Sequence, residues 1–429
     1  MLRPWWFPEY TPDQQAIFDK ILSIIQNTFD QHNYQHIYTP AVEPIDILKK
    51  WWDIIDQQVF GLYWLAQWPQ DTKDYALHFD LTIPLARYIL DHRNILTFPF
   101  RRYQIQPVRR WESTKRWRYK EFWQFDVDTI WYSDTNIWTR YDIETISIID
   151  KTMTNICQKF DININKILKI SHISLTKNFL KSNWLDDECT NLVLKLLDNY
   201  YKIKKEEFEK KLYTILQWSN IIEKNYLYIY DTILKLIDSK NPSDLYIYEW
   251  YSDLQTIIQW LEELGIKYEY DVCIVRGQNY YKWMVCEWMD IDDISLWSLA
   301  WWGRYDGITD FIDSKQSFSG VGASLGRFVT LAMEKILTKD ISKSEDKYIF
   351  INFGTETRSD LVRLYQSYIS QWKICEIYPT NAKLSKQFEY ADRKKINHAI
   401  ILWSDEKNKW IYKIKNLIDG IQTDIIYDN

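Results

Sequence analysis

Glycine is almost missing from this chain, and tryptophan stands in places where a backbone normally needs glycine. The 429 residues include 23 Trp and only 10 Gly. Glycine supplies about 7% of an average protein but about 2% of this one. Together the two make up about 8% of the residues, close to the ordinary glycine share. Trp is doubled at Trp5-Trp6, Trp51-Trp52 and Trp301-Trp302, and it sits in the turn-like Leu402-Trp403-Ser404-Asp405. A glycine is required where φ is positive or where backbone must lie against a ligand, because it has no Cβ. An indole is the least suitable replacement. A reassigned UGA codon translated with the wrong table would give this pattern, with many of the Trp letters standing for glycine. The alternative is a genuinely Trp-rich chain. The codons under Trp301 and Trp302, or an intact mass, separate the two.

The length implies two or three domains. Apolar residues make up 46% and charged residues 26%, a balance typical of globular chains. No apolar run reaches the roughly 18 residues that a membrane span needs. The start, MLRPWWFPEY, lacks a basic segment followed by an apolar one, so no secretory signal is expected and the expected compartment is the cytoplasm. Cys157, Cys189, Cys273, Cys286 and Cys375 are widely spaced and form no C-x-x-C pair, which argues against a zinc site or a disulfide framework. The net charge of -6 argues against nucleic-acid binding by bulk charge, although a local basic patch is enough to hold phosphates.

Thr11-Pro12-Asp13-Gln14 reads as a helix start, with Thr as cap and Pro at the first position. Apolar residues at helical spacing follow, from Ile17 to Phe29. His36 to Pro40 reads as a strand ending at proline. Residues 97–132 predict two strands around an arginine-dense loop, and 139–157 predict a helix. From 185 to 262 the periodicity and charge are helical, as in KIKKEEFEKKL, and predict a helical insertion. Strands and turns return at 268–330. The polar stretch 336–346 is a linker candidate. Strand and helix then alternate over 347–429, which predicts a small parallel α/β domain.

Residues 107–128 read PVRRWESTKRWRYKEFWQFDVD. Guanidinium groups match phosphate geometry, so two strands joined by this basic loop could grip a polyphosphate. Composition alone favours a solvated hairpin of mixed charge. Arg110-Trp111-Glu112, the basic loop, and Arg118-Tyr119 followed by Phe122 and Gln124 resemble motif 2 of class II aminoacyl-tRNA synthetases in its histidyl form. Arg276-Gly277-Gln278-Asn279-Tyr280-Tyr281-Lys282-Trp283 is similar to the histidyl Arg-Gly-Leu-Asp-Tyr-Tyr-Thr-Gly signature, with Asn279 departing from its Asp. Residues 299–307, LAWWGRYDG, resemble Ala-Gly-Gly-Gly-Arg-Tyr-Asp-Gly-Leu of the same family, with Trp301 and Trp302 at glycine positions. Asp80 to Tyr88, DLTIPLARY, closely matches the family's Asp-Leu-Thr-Val-Pro-Leu-Ala-Arg-Tyr. The glycine-rich Gly320 to Phe328 is similar to motif 3, although Arg327 follows the last glycine at once rather than three positions on.

The resemblance to histidyl-tRNA synthetases spans nearly the whole chain and is weakest at 185–262. It implies an α+β fold. The class II catalytic core, an antiparallel sheet flanked by helices, would occupy 1–335, interrupted by the insertion. A C-terminal α/β anticodon-binding domain would occupy 347–429. The implied activity joins L-histidine to ATP as histidyl-adenylate and then to the 3′ end of tRNA(His). Arg110 and Arg276 are the implied catalytic arginines at the α-phosphate. Glu112 and Phe122 meet the adenine, and Arg118 and Arg327 meet the outer phosphates. Asp80, Thr82 and Gln124 hold the α-amino group, while Asp128, Tyr281 and Tyr305 line the imidazole slot. Mg2+ accompanies the ATP, and no protein-held metal is implied. Lys383, Lys386 and Arg393 are the candidates for tRNA contact. A homodimer is implied, with the helix after Thr11 and the strand near Pro40 at its interface. The rival reading is a non-catalytic, synthetase-like regulatory subunit of histidine biosynthesis. That family typically lacks the C-terminal domain and the Arg-Gly-x-Asp-Tyr-Tyr signature.

Overall fold

The computed structural model describes residues 6–51, 58–62, 74–111, 119–133, 140–218, 223–275, 281–293, 298–339, 346–403 and 411–426. The chain divides into two compact units, Met1–Thr338 and Lys339–Asn429.

In the first unit the helix Pro12–Gln31 begins as the sequence predicts. The Gln14 amide donates to the Thr11 hydroxyl, and the Gln14 side chain accepts from the Thr11 amide at 2.9 Å. Phe18, Ile21, Ile25 and Phe29 form its buried stripe. The strand expected at 36–40 is shorter, Gln35–His36. It is one edge of an eight-stranded sheet. The order is Gln35–His36, Phe100–Arg109, Glu121–Tyr132, Phe318–Ser324, Ala300–Tyr305, Tyr281–Asp290, Lys166–His172 and Tyr268–Tyr270. The inner pairings are antiparallel, and the strand at each edge pairs in parallel.

Side chains alternate along a strand, so the sheet has two chemically different faces. One face carries Tyr103, Ile105, Phe125, Val127, Cys286, Trp288 and Trp302, packed with the helices Pro12–Gln31, Arg140–Lys159 and Gly326–Thr338. The helices Asp187–Asp198, Lys205–Trp218, Glu223–Ser239 and Tyr251–Glu263 occupy the predicted insertion. Their Leu196, Phe208, Leu212 and Leu261 join the same apolar cluster as Leu168 and Ile170 of the sheet. These helices therefore share the core of the sheet instead of building their own. On the other face, the helix Thr82–His92 packs Leu85, Ala86 and Ile89 beside Val285, Tyr281 and Tyr305.

The helix Gly326–Thr338 runs three residues into the expected linker, and 340–345 lie outside the described residues. In the second unit the strand order is Ile374–Ile377, Lys347–Phe350, His398–Ile401, Ile411–Asn416 and Gln422–Ile426. The first three strands are parallel, as the alternation predicts. The last two are an antiparallel hairpin, which the sequence reading did not anticipate.

Helix ends bear on the Trp letters. After Tyr251–Glu263, Gly265 takes φ +67°, and its amide and the next donate back to Glu262 (3.0 Å) and Leu261 (2.9 Å). Trp184 closes Ile173–Ser182 in the same way at φ +73°, with bonds to Lys181 (3.0 Å) and Leu180 (3.3 Å). Trp372 closes Arg358–Ser370 at φ +61°. Their indoles are 78% and 96% exposed, so little packing offsets the strain. A left-handed conformation costs an L-residue roughly 1–2 kcal/mol. Trp184→Gly and Trp372→Gly are each expected to stabilise their unit by about 1 kcal/mol in urea unfolding. Unchanged or lower midpoints would contradict this.

Candidate active site

The second face of the sheet holds a polar strip that runs across the strands. In register, Arg102 lies opposite Asp128, Gln104 opposite Asp126, and Gln106 opposite Gln124. Asp128 continues to Gly322 and Gly303 on the next two strands, and Asp126 continues to Ser324 and Trp301. Alternation places Arg110 and Phe122 on this same face, at the end of the hairpin where the two strands are joined. The Arg110 guanidinium stands 5.3 Å from the Phe122 ring centre, and its Nε donates to the Phe79 carbonyl at 2.7 Å. That carbonyl immediately precedes Asp80, whose Oδ1 accepts the Ile83 amide at 3.2 Å. Asp80, Thr82, Gln124, Asp126 and Asp128 are all buried.

A buried acceptor is costly unless a donor reaches it. Among the described residues, no donor reaches Oδ2 of Asp80, Oε1 of Gln124 or Oδ1 of Asp126. Such oxygens suit a ligand rich in N–H donors. Asp128 is better supplied. Its Oδ1 accepts from the Tyr305 hydroxyl at 2.7 Å, and its Oδ2 lies 2.8 Å from Arg102. Burial raises the Asp128 carboxyl, while Arg102 and the Tyr305 hydroxyl pull it down. Burial pushes Asp80 up to about 6, against the pull of Arg110. It pushes Asp126 up to about 7, with Arg102 lowering and Asp128 raising.

Close packing here depends on true glycines. A Cβ on Gly322 would lie 2.0 Å from the Asp128 carboxylate, and one on Gly303 would lie 2.3 Å from the Tyr281 ring. The two indoles of residues 301 and 302 part company at this point. Trp302 faces the helical side and is fully buried, whereas Trp301 stands on the polar face, edge-on to Tyr281 at 5.9 Å.

A family model described as histidyl-tRNA synthetase matches residues 7–327. The chain belongs to the histidyl-tRNA synthetase family. It is similar to the histidine–tRNA ligase of Clostridium tetani, with 28% identity covering 97% of this chain and 94% of that one. It is 29% identical to the histidine–tRNA ligase of Finegoldia magna, covering 98% and 97%. The crystal structure of histidyl-tRNA synthetase from Nostoc sp. PCC 7120 shares the fold, with a TM-score of 0.79, 24% identity, and 99% and 96% of the two chains covered.

Of the residues singled out in the sequence as histidyl-tRNA synthetase site residues, Asp80, Thr82, Arg110, Phe122, Gln124, Asp128, Tyr281 and Tyr305 lie on or beside this one face. Arg327 opens the helix Gly326–Thr338, next to Gly326, which packs on the Trp123 backbone carbonyl. Glu112, Arg118 and Arg276 lie outside the described residues. Lys383 and Lys386 are exposed at the start of the helix Leu384–Arg393 in the second unit. Arg393, at that helix's far end, is ion-paired to Glu389. Sequence reasoning missed Arg102, Gln104, Gln106 and Asp126. The signal was available, since polar residues at alternate positions of two paired strands mark a polar face.

Proposed function

We propose that this chain is a histidine–tRNA ligase whose two steps are carried out on this polar face. A histidine carboxylate oxygen attacks the α-phosphorus of ATP, the bond to the β-phosphate oxygen breaks, and pyrophosphate leaves. A ribose hydroxyl at the tRNA 3′ end then attacks the acyl carbon, and AMP leaves. The observation that carries the reading is the placement of Arg110, over Phe122, on the same face as Asp80, Gln124 and Asp128. Phe122 offers a ring for the adenine, with Glu112 beside it, and Arg110 and Arg276 bear on the α-phosphate. Arg118 and Arg327 take the outer phosphates. Catalysis is then mainly positioning and fixed positive charge. Magnesium enters with the nucleotide. The test is histidine-dependent ATP–pyrophosphate exchange. No exchange, or equal exchange with another amino acid, removes the reading, and no exchange with any amino acid favours the regulatory paralogue.

Asp80, Thr82 and Gln124 receive the α-ammonium, and Asp128 with Tyr281 and Tyr305 receives the imidazole. Asp80 makes a pH prediction. A buried acid whose pKa rises on folding takes up a proton more readily folded than unfolded. Its ionised form therefore costs stability above pH 6, and that cost is relieved as pH falls towards its ordinary value. An ammonium ion favours the carboxylate. The KM for histidine is thus expected to fall between pH 5 and pH 7, and Asp80→Asn should flatten that slope. Comparison with the variant cancels the substrate's own titration, and parallel slopes would exclude the role.

Residues 1–335 are the catalytic core with its helical insertion, and 347–429 the anticodon-binding domain. There Lys383 and Lys386 are better placed for phosphates than Arg393, which Glu389 already engages. The double change Lys383→Glu and Lys386→Glu should raise the KM for tRNA roughly tenfold and leave exchange unaltered. An unchanged KM for tRNA would remove both lysines from the interface. The enzyme works as a cytoplasmic homodimer, with the helix Pro12–Gln31 at its interface.

Many of the Trp letters are glycines. Trp6, Trp184, Trp250 and Trp372 all carry positive φ. Nε1 of the fully buried Trp288 and Trp302 finds no acceptor among the described residues. Trp123 is the exception, since its ring packs 5.2 Å from Phe18 as a true aromatic would. An intact mass at the value for 23 tryptophans would exclude the recoding.

A further inference from the structure

Among the described residues, Arg102 is the one guanidinium on the polar face with no solvent exposure at all, and neither step of the reaction described above uses it. It meets two buried carboxylates on the neighbouring strand. Its Nη2 lies 2.8 Å from Asp128 Oδ2, and Asp126 stands two residues along on the same face. Its other contacts are neutral acceptors, Gln104 Oε1 at 3.3 Å and the Leu81 carbonyl at 3.5 Å. Gln104 is itself anchored, donating to the Thr39 hydroxyl at 2.7 Å and to Gln106. Gln106 donates to the Thr39 carbonyl at 2.9 Å and accepts the Thr39 amide at 3.2 Å. The guanidinium thus meets this side-chain network through Gln104, and its Nη2 forms an ion pair with Asp128. From the front, the Tyr305 hydroxyl fixes the other oxygen.

The Asp128 carboxyl accepts an N–H from the substrate ring most strongly when it is ionised and correctly turned. Burial favours the protonated form, and a second buried carboxylate nearby favours it further. We propose that Arg102 is a positioning residue for histidine selection, holding Asp128 as an oriented carboxylate against the opposing charge of Asp126. The inference rests on the reading that Asp128 receives the imidazole. The charged groups that bear on the pair are Arg102 from one strand, Asp126 beside Asp128, and Asp80 from the loop before Thr82. The Tyr305 hydroxyl faces Asp128 from the far side, and Arg110 acts through Asp80.

The test uses pyrophosphate exchange in whichever form of residue 301, Trp or Gly, supports activity. Arg102→Met should raise the KM for histidine roughly 30-fold or more, the lower end of what truncating a buried charge pair costs. The KM for ATP should stay within about twofold, because the change removes no nucleotide contact. Adding Asp126→Asn should recover a large part of the loss, since one carboxylate then remains. Arg102→Lys keeps the charge and covers the case where the methionine variant fails to fold. It should lose much less than Arg102→Met and show a shifted pH profile of KM for histidine. Histidine and ATP KM values rising together, or no recovery in the double variant of a folded protein, would overturn the proposal. Asp128→Asn is the control. If it leaves histidine KM unchanged, the underlying reading of the pocket fails. If it raises KM while Arg102→Met does not, only the role of Arg102 fails.

Discussion

Replacing Arg110 by alanine is expected to lower histidine-dependent pyrophosphate exchange by about 10²–10³-fold, the usual cost of removing one fixed donor from a charge-stabilising site. The expectation follows from where the fold puts the side chain. Arg110 directly follows the strand Phe100–Arg109, on the face that carries Gln124, Asp126 and Asp128. Its Nε is spent on the Phe79 carbonyl, which fixes the fork in direction. The aromatic face of Phe122 lies alongside at 5.3 Å. A guanidinium so held is already in place when negative charge builds on a phosphate, so little reorganisation is needed at that moment. The loss should therefore fall on kcat, with a smaller change in the KM for histidine. Arg110→Lys should rescue only partly, because an ammonium lacks the planar fork. A variant with unchanged kcat would detach Arg110 from the reacting phosphate. A variant altered equally in both substrates' KM would point to a structural role.

The hairpin that holds Arg110 was legible in the sequence because two independent signals agreed there. Strand periodicity over 97–132 marked its position, and Arg110 with Phe122 and Gln124 carried the family resemblance. The helix start at Thr11 was legible for a similar reason. A capping box is local chemistry, and the structure forms it with the partners its spacing implies. The missed features depend on neighbours distant in sequence. Arg102 and Asp126 looked like ordinary strand residues until the register set Arg102 against Asp128 and Gln104 against Asp126. The antiparallel hairpin closing the second unit was missed because KIKN and QTDII carry weak strand patterning. Its tight turn rests on Asn416 and Asp419 side chains and on Gly420 at φ +77°. Composition marked 185–262 as helical, but it could not show that these helices share a core with the sheet.

Placing glycine at residue 301 is expected to have the opposite sign and a comparable size. In the chain with tryptophan, the indole of residue 301 stands between Ser324 and Glu287 in register and meets Tyr281 edge-on at 5.9 Å. Tyr281 in turn packs toward Tyr305, whose hydroxyl holds Asp128. A bulky ring at that point occupies the floor on which the aminoacyl-adenylate would lie and fixes Tyr281 from one side. A displacement of about 1 Å in a catalytic group can cost on the order of 100-fold in rate. Trp301→Gly should therefore raise exchange by about that factor over the tryptophan form. Trp302→Gly acts differently, because its side chain points into the helical core. It removes an indole whose Nε1 has no acceptor but opens a void, so its effect should appear in stability and scarcely in the KM for histidine. Measuring exchange for the four combinations of Trp and Gly at 301 and 302 separates these effects. Full activity in the double-tryptophan protein would show that the pocket accommodates the indole, and the case for glycine at 301 would fall with it.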